Sequence, residues 1–219
     1  MNILYILYAV AAYLIGSVSS AVLIAKTRGI DIREHGSGNA GATNVLRVLG
    51  AKAAIMVFIA DFCKGLIAVL FVRFTPLNQV DNPELYAGYE IILGICAVLG
   101  HIFPIFASFR GGKGVATTAG ILVAISPFPM LVTLCVFIIT LSITHYVSLG
   151  SIMSAISYPL VVIFLFGIIL QPSTITNTLK IFSICASSMI IFTHRKNIKR
   201  LRKGVENKIS FKNKRKSEF

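Results

Sequence analysis

The chain has 219 residues, is 56% hydrophobic, lacks tryptophan and carries a formal charge of +13, with a mean hydropathy of +0.82. This composition excludes an ordinary soluble domain and puts membrane insertion first, and the length suits one compact bundle. The charge is uneven: residues 195–219 hold 11 of the 21 cations against only Glu206 and Glu218. Beside a membrane span, such a segment reads as cytosolic and in contact with anionic headgroups rather than as a nucleic-acid site.

Residues 3–25 carry no charge and are long enough to span, since a crossing needs about 20 apolar residues. No basic region precedes them, so a cleaved signal peptide is not expected. Lys26, Arg28 and Arg33 follow, which puts the N-terminus outside and residues 26–50 in the cytosol. Gly16, Ser17, Ser19 and Ser20 allow close helix packing in this first span.

A second run, 51–74, returns outward. Segment 75–88 holds Pro76, Asp81, Pro83 and Glu84 with no cation, as suits an external loop. Residues 89–108 come back and deliver Arg110 and Lys113 to the cytosol. Residues 115–126 form a short exiting helix ended by Pro127-Phe-Pro129. Runs 130–147, 151–170 and 178–193 then go in, out and in. The expectation is an all-α integral membrane protein of about seven spans, some short, with the C-terminus cytosolic. Treating 115–147 as one bent element gives five or six; only an odd count satisfies the charge rule at both ends. One domain, 1–208, is followed by a basic tail, 209–219.

Cys63, Cys96, Cys135 and Cys185 are scattered singly through apolar runs, with neither metal-ligand nor redox spacing. Asp61 and Lys64, three apart inside the second span, form a structural ion pair facing the bundle, because a lone charge at mid-bilayer costs about 2.5–3.5 kcal/mol. His101 also reads as support for the bundle.

The polar segments gather at the cytosolic helix ends. Ser37, Asn39, Thr43, Asn44 and Arg47 are spaced by Gly36, Gly38 and Gly41. Hydroxyls and amides donate hydrogen bonds and arginine grips phosphate bidentately; alternatively, the loop only caps a helix starting near Val45. In Gly111-Gly112-Lys113-Gly114, glycines flank a cation where a helix begins, and a helix N-terminus attracts anions. The string is not a Walker A loop, in which Ser or Thr follows the lysine. Alone, it is equally a tight interfacial turn with a snorkelling lysine. His194 and Asn197 are three apart, on one helical face. Such a histidine serves as acid, base or oriented donor, or merely ends the last span.

In order, Ser37-Gly-Asn-Ala-Gly-Ala-Thr-Asn-Val-Leu-Arg47, Gly111-Gly-Lys-Gly-Val-Ala-Thr117 and His194-Arg-Lys-Asn197-Ile-Lys-Arg-Leu201 with Gly204-Val-Glu206 resemble the bacterial membrane acyltransferases that use acyl phosphate and glycerol 3-phosphate, the PlsY family. Asp61-Phe-Cys-Lys-Gly65, His101-Ile-Phe-Pro104 and Val147-Ser-Leu-Gly-Ser151 add to the match. The resemblance implies a seven-helix enzyme of the bacterial inner membrane with its pocket facing the cytosol. It implies transfer of an acyl group from acyl phosphate to glycerol 3-phosphate, giving 1-acyl-glycerol 3-phosphate and phosphate, the first acylation of phospholipid synthesis.

By position, Ser37, Arg47, Lys113, His194 and Asn197 are implied in catalysis. Gly38, Asn39, Thr43, Asn44, Gly111, Gly112 and Gly114 join them in holding phosphate, and Glu206 is implied as structural. The expected partners are the two substrates and membrane lipid, with a monomeric chain and no cofactor, metal or nucleic acid. An acyl phosphate is a mixed anhydride, already activated, so no ATP or metal is needed. The hydroxyl proton goes to His194 or to a donor phosphate oxygen; the resemblance favours the latter, with His194 positioning the acceptor. No Ser-His-acid set or His-x-x-x-x-Asp pattern supports an acyl-serine at Ser37. The rival reading is a transporter of an organic phosphate, against which every candidate ligand lies on one side and no paired halves are visible. A lipid-binding scaffold would leave both glycine loops unexplained.

Overall fold

A computed structural model describes residues 3–79, 82–170 and 175–209, and these form an all-helical bundle. The α-helices are α1 (Ile3–Ser17), α2 (Ser20–Lys26), α3 (Ala42–Leu49), α4 (Ala51–Leu70), α5 (Pro83–Ile102), α6 (Val115–Ile125), α7 (Pro127–Thr144), α8 (Val147–Leu160), α9 (Asn177–Thr193) and α10 (Arg195–Arg202). Five helical stretches of the described residues are long and apolar enough to cross a membrane: Ile3–Lys26, Ala51–Phe74, Pro83–Ala107, Pro127–Thr144 and Val147–Leu170. Val115–Ile125 and Asn177–Thr193 are apolar but shorter. Large apolar side chains such as Ile55, Ile139, Ile143 and Ile169 cover the outside, the inverse of a soluble protein.

The first apolar run is not one helix. Ser19 adopts an extended conformation between α1 and α2, and the Val18 carbonyl accepts a hydrogen bond from Lys64 Nζ at 3.1 Å. An ammonium on α4 thus takes an acceptor at the break between the two helices. The third run begins earlier than its apolar pattern predicts. Asn82 caps it, its side chain accepting from Leu85 N at 3.0 Å, with Pro83 in the first turn. Glu84 then accepts from Asn177 N at 2.8 Å and Thr178 N at 3.2 Å, satisfying the start of α9. Asp81, assigned above to the external loop, lies outside the described residues, as do residues 210–219 of the tail.

Residues 115–147 form two helices, not one bent element. Ser126 leaves the helical region, and Pro127 opens α7 where a missing N–H costs nothing. Pro159 sits inside α8 and removes the bond that residue 159 would donate to the Ala155 carbonyl. That carbonyl accepts instead from Ser187 Oγ on α9, and the chain continues as a π-helical stretch, Val161–Leu170.

Close helix crossings hold the centre. A Cβ on Gly16 of α1 would overlap the Ala97 carbonyl of α5, and one on Gly100 the Tyr13 carbonyl in return. The same reciprocity joins α4 to α6, with Gly65 against the Thr117 carbonyl and Gly120 against the Phe62 carbonyl. Without a hydrophobic force between helices in lipid, such small-residue contacts and polar bonds drive association. They fix α6, and with it the loop at its N-terminus.

Candidate active site

Helix α3 starts at Ala42, three residues before the Val45 expected above. The loop before it is tied down by its own polar groups. Asn44, buried, donates from Nδ2 to the carbonyls of Ile32 (3.1 Å) and His35 (2.9 Å), and its Oδ1 accepts from Ser37 N at 2.7 Å. Arg33 pairs with Asp31 (2.6 Å) and donates to the Ala107 carbonyl (2.9 Å), joining this loop to the end of the α5 segment. The Asp31 carboxyl is held down at about 2, chiefly by its hydrogen bonds from Arg33. Asn44 thus serves the loop, leaving the Ser37, Asn39 and Thr43 side chains for a ligand.

The second glycine loop docks on the end of α5, Gly111 N donating to the Ile102 carbonyl (3.2 Å) and Gly112 N to that of His101 (3.1 Å). Gly114, with φ +82°, turns the chain into α6. Lys113 Nζ donates to Asn197 Oδ1 on α10, whose Nδ2 donates to Glu206 Oε1 at 2.7 Å. Glu206 also accepts from Ser148 Oγ (3.0 Å) and Arg200 Nε (2.6 Å). Burial works against its charge, but Arg200, Asn197 and Ser148 together hold its pKa below the usual value. Residues 205–209 form a strap across the site: Asn207 offers its carbonyl to Arg47 Nη2 (3.3 Å) and Ile209 N donates to the His145 carbonyl (2.8 Å).

A cavity of about 160 Å³ lies where these elements meet. Its polar wall includes Ser37, Asn39, Thr43, Asn44, Arg47, Lys113, Asn197 and Glu206; its apolar wall includes Phe58, Val115, Phe137 and Val147. The start of α6 opens into it through Gly114, Val115 and Ala116, so helix polarity adds to the two cations. Burial pushes the Lys113 ammonium down to about 8, Arg200 and Arg47 adding to the effect while Glu206 opposes it. An arriving phosphate dianion would raise that pKa and keep the ammonium charged.

Of the residues expected from the sequence, Gly38, Gly111, Gly112 and His194 do not line this cavity. His194 is buried where α9 passes into α10. Its Nδ1 lies 2.8 Å from the Ile190 carbonyl, so Nδ1 carries the proton and Nε2 presents a lone pair. Burial, with the Lys113 charge nearby, brings this imidazole down to about 4. Asp61 and Lys64 form the expected pair at 2.9 Å. Asp61 and His101 nevertheless line the cavity, although the sequence suggested only bundle support. Ser148 and Ser151 line it too; the Val147–Ser151 string was the only signal for them.

The whole arrangement matches a known family. The glycerol-3-phosphate acyltransferase family model covers residues 6–204. A glycerol-3-phosphate acyltransferase of Chlorobaculum parvum is 43% identical, covering 91% of this chain and 94% of the relative.

The chain belongs to the glycerol-3-phosphate acyltransferase family.

A family member from a Thermoanaerobacter species is 45% identical, covering 94% of this chain and 96% of its own length. Among solved structures, PlsY, an integral membrane glycerol 3-phosphate acyltransferase in its glycerol 3-phosphate form, superposes with a TM-score of 0.82 at 37% identity, covering 94% of this chain and 96% of that one. The lysophosphatidic acid form of the same enzyme gives a TM-score of 0.79. Membership makes this chain an acyltransferase, and the acyltransferase reading prevails over the transporter and scaffold readings.

Proposed function

We propose that the protein transfers an acyl group from acyl phosphate to glycerol 3-phosphate, releasing lysophosphatidic acid and inorganic phosphate. The observation that carries this reading is the cavity itself: Arg47, Lys113 and the start of α6, which suit phosphate, line it together with Phe58, Phe137 and Val147, which suit an acyl chain. Arg47 and Lys113 neutralise the two substrates' phosphates, while Ser37, Asn39 and Thr43 supply directional hydrogen bonds. Asn197, oriented by Glu206, aims the ammonium.

The acceptor hydroxyl oxygen forms the new bond to the acyl carbon, and the carbon–oxygen bond to the donor phosphate breaks. Lys113 and the main-chain amides at the start of α6 stabilise the oxyanion that develops on the acyl carbonyl. The hydroxyl proton leaves with the phosphate. His194 is a weak base and does not line the cavity, so it is not the group that takes the proton.

The bundle crosses a bacterial inner membrane seven times, Val115–Ile125 and Asn177–Thr193 being the two short crossings. It functions as one monomeric domain with the N-terminus outside and the site and basic C-terminus in the cytosol, following the lysine and arginine distribution. Purified protein given labelled glycerol 3-phosphate should form labelled lysophosphatidic acid from acyl phosphate and not from acyl-CoA; use of acyl-CoA would contradict the donor assignment.

A further inference from the structure

Asp61 on α4 and His101 in the last turn of α5 are almost wholly buried, at 2% and 6% exposure. A single oxygen of Asp61, Oδ1, receives Ser20 Oγ at 2.6 Å and Lys64 Nζ at 2.9 Å, and has His101 Nδ1 at 3.6 Å. Lys64 neutralises the carboxylate locally and also grips the Val18 carbonyl at the break between α1 and α2. Three transmembrane segments thereby meet beside the edge of one imidazole ring. An ion pair that only tied the bundle together would be complete with Asp61 and Lys64.

The opposite edge of that ring meets the glycine loop. A Cβ on Gly112 would overlap His101 Nε2 and come within 2.8 Å of both His101 Cε1 and the Ala40 carbonyl. A Cβ on Gly111 would overlap the His101 carbonyl and come within 2.6 Å of Pro104 Cδ. Main chain and ring of His101 together therefore form the bed on which the two glycines lie. The main-chain bonds from Gly111 and Gly112 alone would allow the loop to pivot; the ring, filling the space beside Gly112, stops it. Lys113 is the next residue, and its ammonium must be directed at Asn197 and the cavity.

We propose that His101, held by Asp61, is a positioning residue for the Gly111–Lys113 loop, setting where the Lys113 ammonium meets substrate phosphate. This rests on the reading of that loop as a phosphate cradle. It extends the machinery of the site beyond the cavity-lining Asp61 to Lys64 and Ser20, which do not have to touch the reacting atoms.

The test is His101→Ala, assayed in detergent with acyl phosphate and glycerol 3-phosphate across pH. Loss of the ring frees the loop, so KM for glycerol 3-phosphate should rise about tenfold or more. The alkaline limb of kcat/KM, set by Lys113 near pH 8, should move up by about half a unit as water reaches the ammonium. A KM within about twofold of the parent, or a raised KM with an unmoved limb, would overturn the proposal. If His101→Ala does not fold, His101→Gln, which keeps a polar side chain, is read by the same two numbers. Lys113→Ala in the same assay separates the two levels. If it leaves KM unchanged, the phosphate-cradle reading fails; if it raises KM while the His101 variants are silent, only the positioning role is lost.

Discussion

The Asn197 side chain bridges opposite charges: its Oδ1 accepts from Lys113 Nζ, and its Nδ2 donates to Glu206 Oε1 at 2.7 Å. An amide is suited to this place because it offers an acceptor to the cation and a donor to the carboxylate at once. The cation is thus held without being neutralised by direct contact with the carboxylate, which leaves it available for phosphate.

Asn197→Asp offers two acceptors and should draw the Lys113 ammonium into a direct ion pair. Turnover is expected to fall about 10- to 100-fold, and stability falls too, because the change removes the donor to Glu206 and sets two buried carboxylates side by side. Steady-state kinetics and thermal unfolding in detergent read the two effects separately. Glu206→Ala removes the other partner of that bond. It strands Ser148, Asn197 and the half-buried Arg200, at a cost of about 1–3 kcal/mol, and should lower the melting temperature as well as activity.

The sign of the pH dependence follows from Lys113. Its pKa is near 8 in the free protein, below the ordinary lysine value, so the charged form that binds phosphate is lost as pH rises through 8. KM for glycerol 3-phosphate should therefore increase on the alkaline side. Lys113→Arg should flatten that limb, because arginine keeps its charge throughout. A KM independent of pH between 7 and 9.5 in the parent would contradict the assignment.

His194 behaves in the opposite range. With its folded pKa near 4 and an ordinary value of 6.5, the unfolded chain binds the extra proton first as pH falls. Stability is complete above about 6.5 and declines toward 4. At pH 6 the imidazole should be neutral with the proton on Nδ1, which nitrogen-15 NMR of labelled histidine reads directly. An imidazolium at that pH would refute this picture of the site.

The crossing of α4 and α6 gives a stability test away from the cavity. Gly65→Ala places a methyl on the Thr117 carbonyl and should cost about 1–3 kcal/mol through backbone displacement. Gly88→Ala, where the nearest atom is Thr178 Cγ2 at 3.9 Å, should be neutral or stabilising by up to about 1 kcal/mol, the helix propensity difference. Thermal unfolding of both variants in one detergent decides the point.

The two glycine loops and the His194–Glu206 segment were legible because their chemistry is written contiguously. The Asp61–Lys64 pair was legible because helical spacing puts residues three apart on one face. The break between α1 and α2 was not, since Val18 and Ser19 carry no charge and sit in an apolar run; the carbonyl freed there finds its donor on Lys64, far along the chain. The same holds for His101. A histidine at the end of an apolar run looks like interfacial support until the fold lays Gly112 against its ring. Phe58, Phe137 and Ser148 reach the cavity from three helices, and no local pattern distinguishes them from neighbours that face lipid. The tail beyond Ile209 lies outside the described residues, and deletion of residues 210–219 is expected to leave turnover largely intact.

If this one cavity joins an acyl phosphate to glycerol 3-phosphate, donor cleavage has to depend on the acceptor. The most direct measurement is inorganic phosphate release by the purified protein in detergent or lipid mesophase, with acyl phosphate present and glycerol 3-phosphate supplied or withheld. Release should require the acceptor, match the lysophosphatidic acid formed one for one, and collapse in Lys113→Ala and Arg47→Ala protein that still folds. Folded parent protein that releases no phosphate in response to glycerol 3-phosphate would contradict the account.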